Sequence, residues 1–193
     1  EPTPVPISTR WAKDVHPQQS PEYPRPQFRR NATSWLHLNG LWELDFESYK
    51  SLDSPPLGRA LPAQILVPYP IESSLSGLRK QPKFGYLWYR RTLPSFGGSG
   101  ELLLHFGAVD WECRVYVGGQ LVGSHSGGFT AFSFNITAHY RPGAELLVGV
   151  YDPSDCVRQQ HKDGAGQDGQ LGPNPCPENL KQPEQRGQQP IGK

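Results

Sequence analysis

HSGGFTAFSFNIT, residues 125 to 137, is the stretch whose reading decides the fold. Phe132, Phe134 and Ile136 alternate with Ser133, Asn135 and Thr137. A period of two is the pleat of a strand with one face buried. Just ahead of it stand Gly127 and Gly128. Lacking a Cβ, they suit a place where the chain turns tightly or something approaches its backbone closely. The stretch therefore reads as a glycine corner feeding a strand.

The same pattern continues on both sides. LNGLWELDF, residues 38 to 46, opens on an Asn39-Gly40 turn pair and then alternates Leu41, Glu43, Asp45 with Trp42, Leu44, Phe46. A short strand at 64–67 is stopped by Pro68 and Pro70, neither of which can donate to a ladder. GYLWYRRTL (85–93) is a further strand, and GELLLHFGAVDWECRVYVGGQLVGSH (100–125) reads as strands turning at Gly118-Gly119 into Leu121-Val122. AELLVGVYD (144–152) is a buried strand behind a Pro142-Gly143 turn. The spacing predicts strands near 41–47, 86–93, 101–106, 111–117, 130–136 and 145–151. No ten-residue segment has a 3.6 period and no internal repeat is present. The fold class is all-β, an antiparallel sandwich or barrel.

At 193 residues the chain can bury one sizeable core. Its apolar residues gather between Leu36 and Tyr151, while both ends are rich in proline or glutamine. The expected organisation is an extended arm at 1–34, one domain at 35–155, and a loop or linker at 156–193 leading toward a downstream domain. With no methionine, the sequence reads as a mature or excised form without a translation start. The net charge of +1 gives no attraction for a strongly charged partner, and Arg79, Lys80 and Lys83 are too few to imply nucleic acid. No apolar run has the length of a membrane span.

Cys113 sits in an apolar alternating stretch and reads as an inert core thiol. Cys156 and Cys176 could pair in an oxidising compartment and stay free in a reducing one. An extracellular or secretory compartment is the favoured reading. Without a C-x-x-C spacing, no structural zinc site is expected despite His161, and no metal or cofactor is implied. Asn31-Ala32-Thr33 and Asn135-Ile136-Thr137 match the glycosylation pattern, which matters only in a secreted eukaryotic chain.

The residues carry no nucleophile elbow, phosphate loop, H-E-x-x-H or dinucleotide fingerprint. Asp110 and Glu112 fall on one strand face and imitate a carboxylate pair, but an acidic strand edge or a buried hydrogen-bonding Asp explains them more simply. Trp42, Trp88 and Trp111 read as packing residues of strands, with sugar stacking the alternative. One of Arg90 and Arg91 is expected to pair with Asp110 or Glu72.

Five pieces in order give these residues a context. They are YPRPQFRRNATSWLHLNGLWEL, VPYPIESSLSG, YLWYRRTL, LLLHFGAVDWECRVYVGGQLVGSHSGGFTAFSFNIT and LLVGVYDPSD, covering roughly 22 to 155. Together they resemble the amino-terminal sugar-binding domain of glycoside hydrolase family 2, the family of β-galactosidases, β-glucuronidases and β-mannosidases. The resemblance implies a jelly-roll β-sandwich of the galactose-binding type. It implies that His125, Gly127, Gly128 and Phe129 form a sharp corner between sheets, with packing the first role and sugar contact by His125 the second. Glu72 would anchor a loop reaching toward the partner domain and substrate. The partners implied are weakly held carbohydrate and the downstream immunoglobulin-like and barrel domains, the barrel carrying both catalytic glutamates. Two departures stand out. Gly118-Gly119 replaces the family's Asn-Gly turn, and Arg186-Gly187-Gln188-Gln189 stands where relatives carry Arg-Gly-Lys-Gln near the active-site mouth, which weakens a substrate role for Arg186. A freestanding carbohydrate-binding module and a protein-interaction sandwich are the competing functions.

Overall fold

The computed structural model describes residues 8–18, 35–80, 82, 85–97 and 100–152. Within them lie eight strands: β1 (Gly40–Asp45), β2 (Ala63–Val67), β3 (Tyr86–Thr92), β4 (Leu103–Phe106), β5 (Glu112–Val117), β6 (Gln120–Ser126), β7 (Phe132–Asn135) and β8 (Glu145–Tyr151). The only helical pieces described are two three-residue 3₁₀ turns. Six strands form one sheet in the order β2-β1-β3-β8-β5-β6, and β4 and β7 form a second. All pairings are antiparallel. The fold is a jelly-roll β-sandwich.

Alternation explains which faces are buried. In β5, Cys113, Val115 and Val117 are buried while Glu112, Arg114 and Tyr116 are half-exposed. β8 has no such alternation, because it lies between β3 and β5 and both its faces are covered. Leu146, Val148 and Val150 enter the main core with Trp42, Leu44, Tyr89 and Leu104. Leu147 and Tyr151 enter a second core with Trp88, Leu52 and Leu61, where the loop after β1 folds over the outer face. Gly149 sits opposite Trp88 in the ladder, and a Cβ there would lie 2.7 Å from the indole ring, so the glycine makes room for the largest buried side chain.

Turns follow their residues. Gly118 and Gly119 both have positive φ, 57° and 82°, the type I′ pattern that suits the twist between β5 and β6. Pro142-Gly143 closes a turn in which Ala144 N–H donates to Arg141 C=O at 2.9 Å. Asn39-Gly40, read as a turn from the sequence, is not one. Gly40 starts β1, and a Cβ there would stand 3.1 Å from the Pro17 carbonyl, so the glycine admits the amino-terminal arm instead.

Other expectations are corrected. Val15, at 8% exposure, packs into the fold, whereas Trp11 is 61% exposed and stacks under Arg10. Trp42 and Trp88 are buried, but Trp111 precedes β5 and is 42% exposed. Neither arginine of the 90–91 pair is bound as expected. Arg90 bridges Glu43 of β1 at 2.6 Å and Glu145 of β8 at 2.7 Å, while Arg91 donates to the Leu38 and Asn39 carbonyls.

The two sheets are unequal, and this shapes the interior. β7 lies over β6, where Phe134 presses so closely on Gly123 that a Cβ would overlap its ring. Among the described residues two strands face six. On the inner side of β1 and β3 a cavity of about 580 Å³ remains.

Candidate functional site

The corner after β6 carries most of the chemistry-bearing residues. β6 belongs to the larger sheet and β7 to the smaller, so residues 127–131 take the chain from one sheet to the other. Gly127 adopts φ 123°, a region that side-chain-bearing residues rarely enter, and its N–H donates to the Trp111 carbonyl at 2.8 Å. Trp111 N–H in turn donates to the Tyr151 carbonyl at 3.2 Å, tying the corner to the end of β8. Gly128 is buried for a different reason. A Cβ there would fall 2.6 Å from Asp110 Cγ, so the carboxyl group occupies the space a side chain needs. Asp110 is itself buried, and the Asp110–Trp111 peptide is cis.

His125 faces inward along this corner. Its ring stacks on Phe132 with centroids 4.0 Å apart, and Nε2 lies 3.1 Å from Thr130 Oγ1. Both interactions belong to packing. Phe129 does the opposite, with 85% of its surface in solvent. With Trp111 it gives this end of the sandwich an exposed aromatic character.

Glu72 lies elsewhere, on the loop after β2. That loop is fixed by Ser76, whose hydroxyl donates to the Ser73 carbonyl at 2.7 Å and sits 3.1 Å from that of Ile71, and by Ser73 Oγ, which accepts from Leu75 N–H at 3.2 Å. Burial, and then the Glu72 carboxylate, push the Tyr89 phenol above its ordinary pKa, which places Glu72 in the field of the β3 interior. β2 and β6 are the opposite edges of the larger sheet, so Glu72 and the corner occupy loops behind different edge strands. Arg186 lies outside the described residues, as do Cys156, Cys176 and Asn31.

The acidic groups have structural employment. Asp110 is buried under Gly128 before β5 begins, in line with the simpler reading of it as a buried Asp, and Glu112 lies 4.0 Å from Arg114. Glu43 and Glu145 flank one guanidinium, but their remaining oxygens accept from loop amides, Leu61 N–H at 2.8 Å and Gly58 N–H at 3.2 Å. Hydrogen bonding to Glu145 is the main reason Arg90 is held above its ordinary pKa. Asp45 accepts from the Glu47 and Ser48 amides at 3.1 and 3.0 Å and closes the turn after β1. Among the described residues no three His, Cys, Asp or Glu side chains gather as metal ligands. Sequence reading missed the Arg90 bridge, because its partners come from strands far apart in the chain.

No protein-family profile matches the chain. Known proteins do. A β-galactosidase of Thermoanaerobacter pseudethanolicus is 36% identical over 140 residues, covering 67% of this chain and 16% of that protein. A β-glucuronidase of Streptococcus agalactiae is 28% identical over 97 residues, covering 49% of this chain and again 16% of the relative. The chain therefore spans about a sixth of the length of these curated relatives. In structure, the β-glucuronidase of Faecalibacterium prausnitzii superposes with a TM-score of 0.51 at 29% identity, over 76% of this chain and 27% of that one. An ordered series of motifs, an antiparallel sandwich with its sheet-crossing glycine corner, and these matches agree: the chain belongs to glycoside hydrolase family 2, as an amino-terminal jelly-roll domain.

Proposed function

We propose that the chain is the accessory, sugar-binding type of domain of a family 2 glycosidase, supporting a catalytic barrel and shaping its pocket from one side without cleaving a glycoside itself. The observation that carries this reading is the match of an all-β sandwich to only 16% of enzymes named β-galactosidase and β-glucuronidase. The chemistry agrees. A retaining glycosidase needs one carboxyl kept protonated and a second free as nucleophile, about 5–5.5 Å apart. Glu43 and Glu145 instead share Arg90, and their oxygens are also taken up by the amides of Leu61 and Gly58. In this reading Glu72 and its loop face the partner domain, and His125 supports the corner first and touches sugar second. Arg186 is assigned to the substrate side by resemblance alone.

The test is to incubate the purified chain with aryl β-galactoside, β-glucuronide and β-mannoside and follow aglycone release. No release is expected. Release that vanishes in Asp110→Ala or Glu112→Ala would make the chain an enzyme in its own right. A second reading, a freestanding carbohydrate-binding module, is favoured by the exposure of Phe129 and Trp111. Titration with galactose or glucuronate separates the two. Millimolar affinity fits the accessory role, and micromolar affinity lost in Phe129→Ala fits the module.

A further inference from the structure

The outer face of the larger sheet is an apolar floor beside two charged grips. Every second residue of a strand shares a face, and the register decides which side chains are neighbours. Trp88 and Arg114 flank Gly149 from opposite sides, and Tyr86 and Glu112 flank Tyr151 in the same way. Trp88, Leu147, Tyr151 and Tyr116 pack together as the floor. Arg90 with Glu43 and Glu145 makes one grip, and Arg114 of β5 makes the other.

Residues 49–61, in the connection from β1 to β2, lie over this floor. Leu52 and Leu61 are buried in the same cluster as Trp88, and Tyr49 meets that indole edge to face with centroids 5.9 Å apart. Arg114 donates to the Leu52 carbonyl at 3.2 Å and pairs with Asp53 at 2.8 Å. Glu145 accepts from Gly58 N–H and Glu43 from Leu61 N–H, while Arg90 holds both carboxylates. The loop is also tied to itself, since Arg59 donates to the Tyr49 hydroxyl and Ser51 to Asp53 at 2.6 Å. Residues 49–61 belong to no strand, so releasing both grips leaves the ladders intact. Trp88 shows what the loop protects. Its Nε1 is buried and makes no hydrogen bond among the described residues, so burial alone keeps its hydrogen from water.

We propose that residues 49–61 are a detachable cover, which lifts off the outer face as one unit while the strands stay paired. Arg90 and Arg114 set how often it lifts, and each opening bares the rings of Trp88, Tyr116 and Tyr151 to solvent. A local opening of this kind needs less free energy than global unfolding. The cover serves an accessory domain and a freestanding module alike, so this inference stands apart from the proposed function.

The experiment follows hydrogen exchange by NMR in the full 193-residue chain. Three probes are read: the Leu61 amide in the cover, the Trp88 indole in the floor, and the Val148 amide in the middle of the ladder. After correction for intrinsic rates, Leu61 and Trp88 Nε1 should share one opening equilibrium, at least about tenfold more populated than that of Val148. Arg114→Gln should raise exchange at both by about tenfold and leave Val148 unchanged, although Leu61 bonds to Glu43 and not to Arg114. Equal protection at all three sites would overturn the cover. So would a Trp88 indole as protected as Val148 while Leu61 exchanges fast, or an Arg114→Gln effect that misses Leu61 or reaches Val148. If Arg114→Gln does not fold, Asp53→Asn weakens the same grip at a side chain 76% exposed, and the three probes in the native chain still decide.

Discussion

Gly127 and Gly128 are adjacent, yet their constraints differ in kind, and substitution should separate them. Gly127 has a positive φ but open space around a Cβ, the nearest atom being Thr130 Oγ1 at 3.6 Å. Gly127→Ala therefore costs backbone strain only, about 1–2 kcal/mol. Gly128 has an ordinary φ, but its missing Cβ is replaced by the buried Asp110 carboxyl group. Gly128→Ala must displace that group, and about 3 kcal/mol or more is expected. Urea denaturation of the two variants should rank them in that order, against the usual expectation that the positive-φ glycine matters most. Titration gives a second residue-scale prediction. Burial first, then Tyr86 and Asp152, push the Tyr151 phenol up to about 12, and burial pushes the Cys113 thiol up to about 11. Both are acids whose pKa values rise on folding, so folding favours their neutral forms. Their contribution is complete below the unfolded pKa values, about 8.5 for Cys and about 10 for Tyr, and is lost as pH climbs to 11 and 12. Melting temperature should fall steadily above about pH 9, and tyrosinate absorbance should lag that of the unfolded chain. Tyr151→Phe should remove part of the slope above pH 10.

Elements were legible in the sequence where one face is buried and the other wet. β5 and β7 announce themselves by alternation, and β8 by an unbroken apolar run between a Pro-Gly turn and a proline. The length of β6 was hidden, because Gly123 and Ser124 break the pattern; Gly123 is there for Phe134 of the facing sheet, a fact of tertiary packing. The Arg90 bridge was equally invisible. Arg90 is directly opposite Glu43, but Glu145 reaches it from the other flanking strand, and only the sheet order brings the three together. Arg90→Met should cost about 2 kcal/mol or more, because it leaves two half-buried carboxylates side by side and loosens the loop residues Gly58 and Leu61 that they hold. The Arg90→Met, Glu145→Gln double variant should recover part of that loss. Additive costs in the two single variants and the double would refute the bridge as a unit.

For the whole molecule, the expected unit at 35–155 now invites a test against the arm. Val15 is buried and Pro17 abuts Gly40, so residues 8–18 belong energetically to the sandwich. A chain trimmed to 35–155 should fold but melt lower than one beginning at residue 8, by the equivalent of about 2 kcal/mol for one buried valine. Equal melting would confine the arm to decoration. The candidate site was only half legible at this scale. The glycine corner could be found from its own residues, whereas the exposure of Trp111 depends on where β5 starts, and the separation of Glu72 from the corner depends on which strands are edges.

The position of β8 also has a bearing on how the chain comes into being. It is the last strand made among the described residues, yet it stands at the centre of the larger sheet, between β3 and β5. Until it arrives, β2-β1-β3 and β5-β6 are two separate fragments, each with a long open edge and an uncovered apolar face. At roughly 5–20 residues per second a ribosome takes several seconds to pass from β3 to β8. During that interval the nascent chain holds two half-sheets that can pair with the wrong partner, and one strand, on leaving the exit tunnel, joins both at once. Joining of the two described half-sheets is thus timed by the emergence of Tyr151. A stalled chain ending before Glu145 should remain protease-sensitive and bound by chaperones, and one extended past Tyr151 by the length of the tunnel should become resistant in a single step.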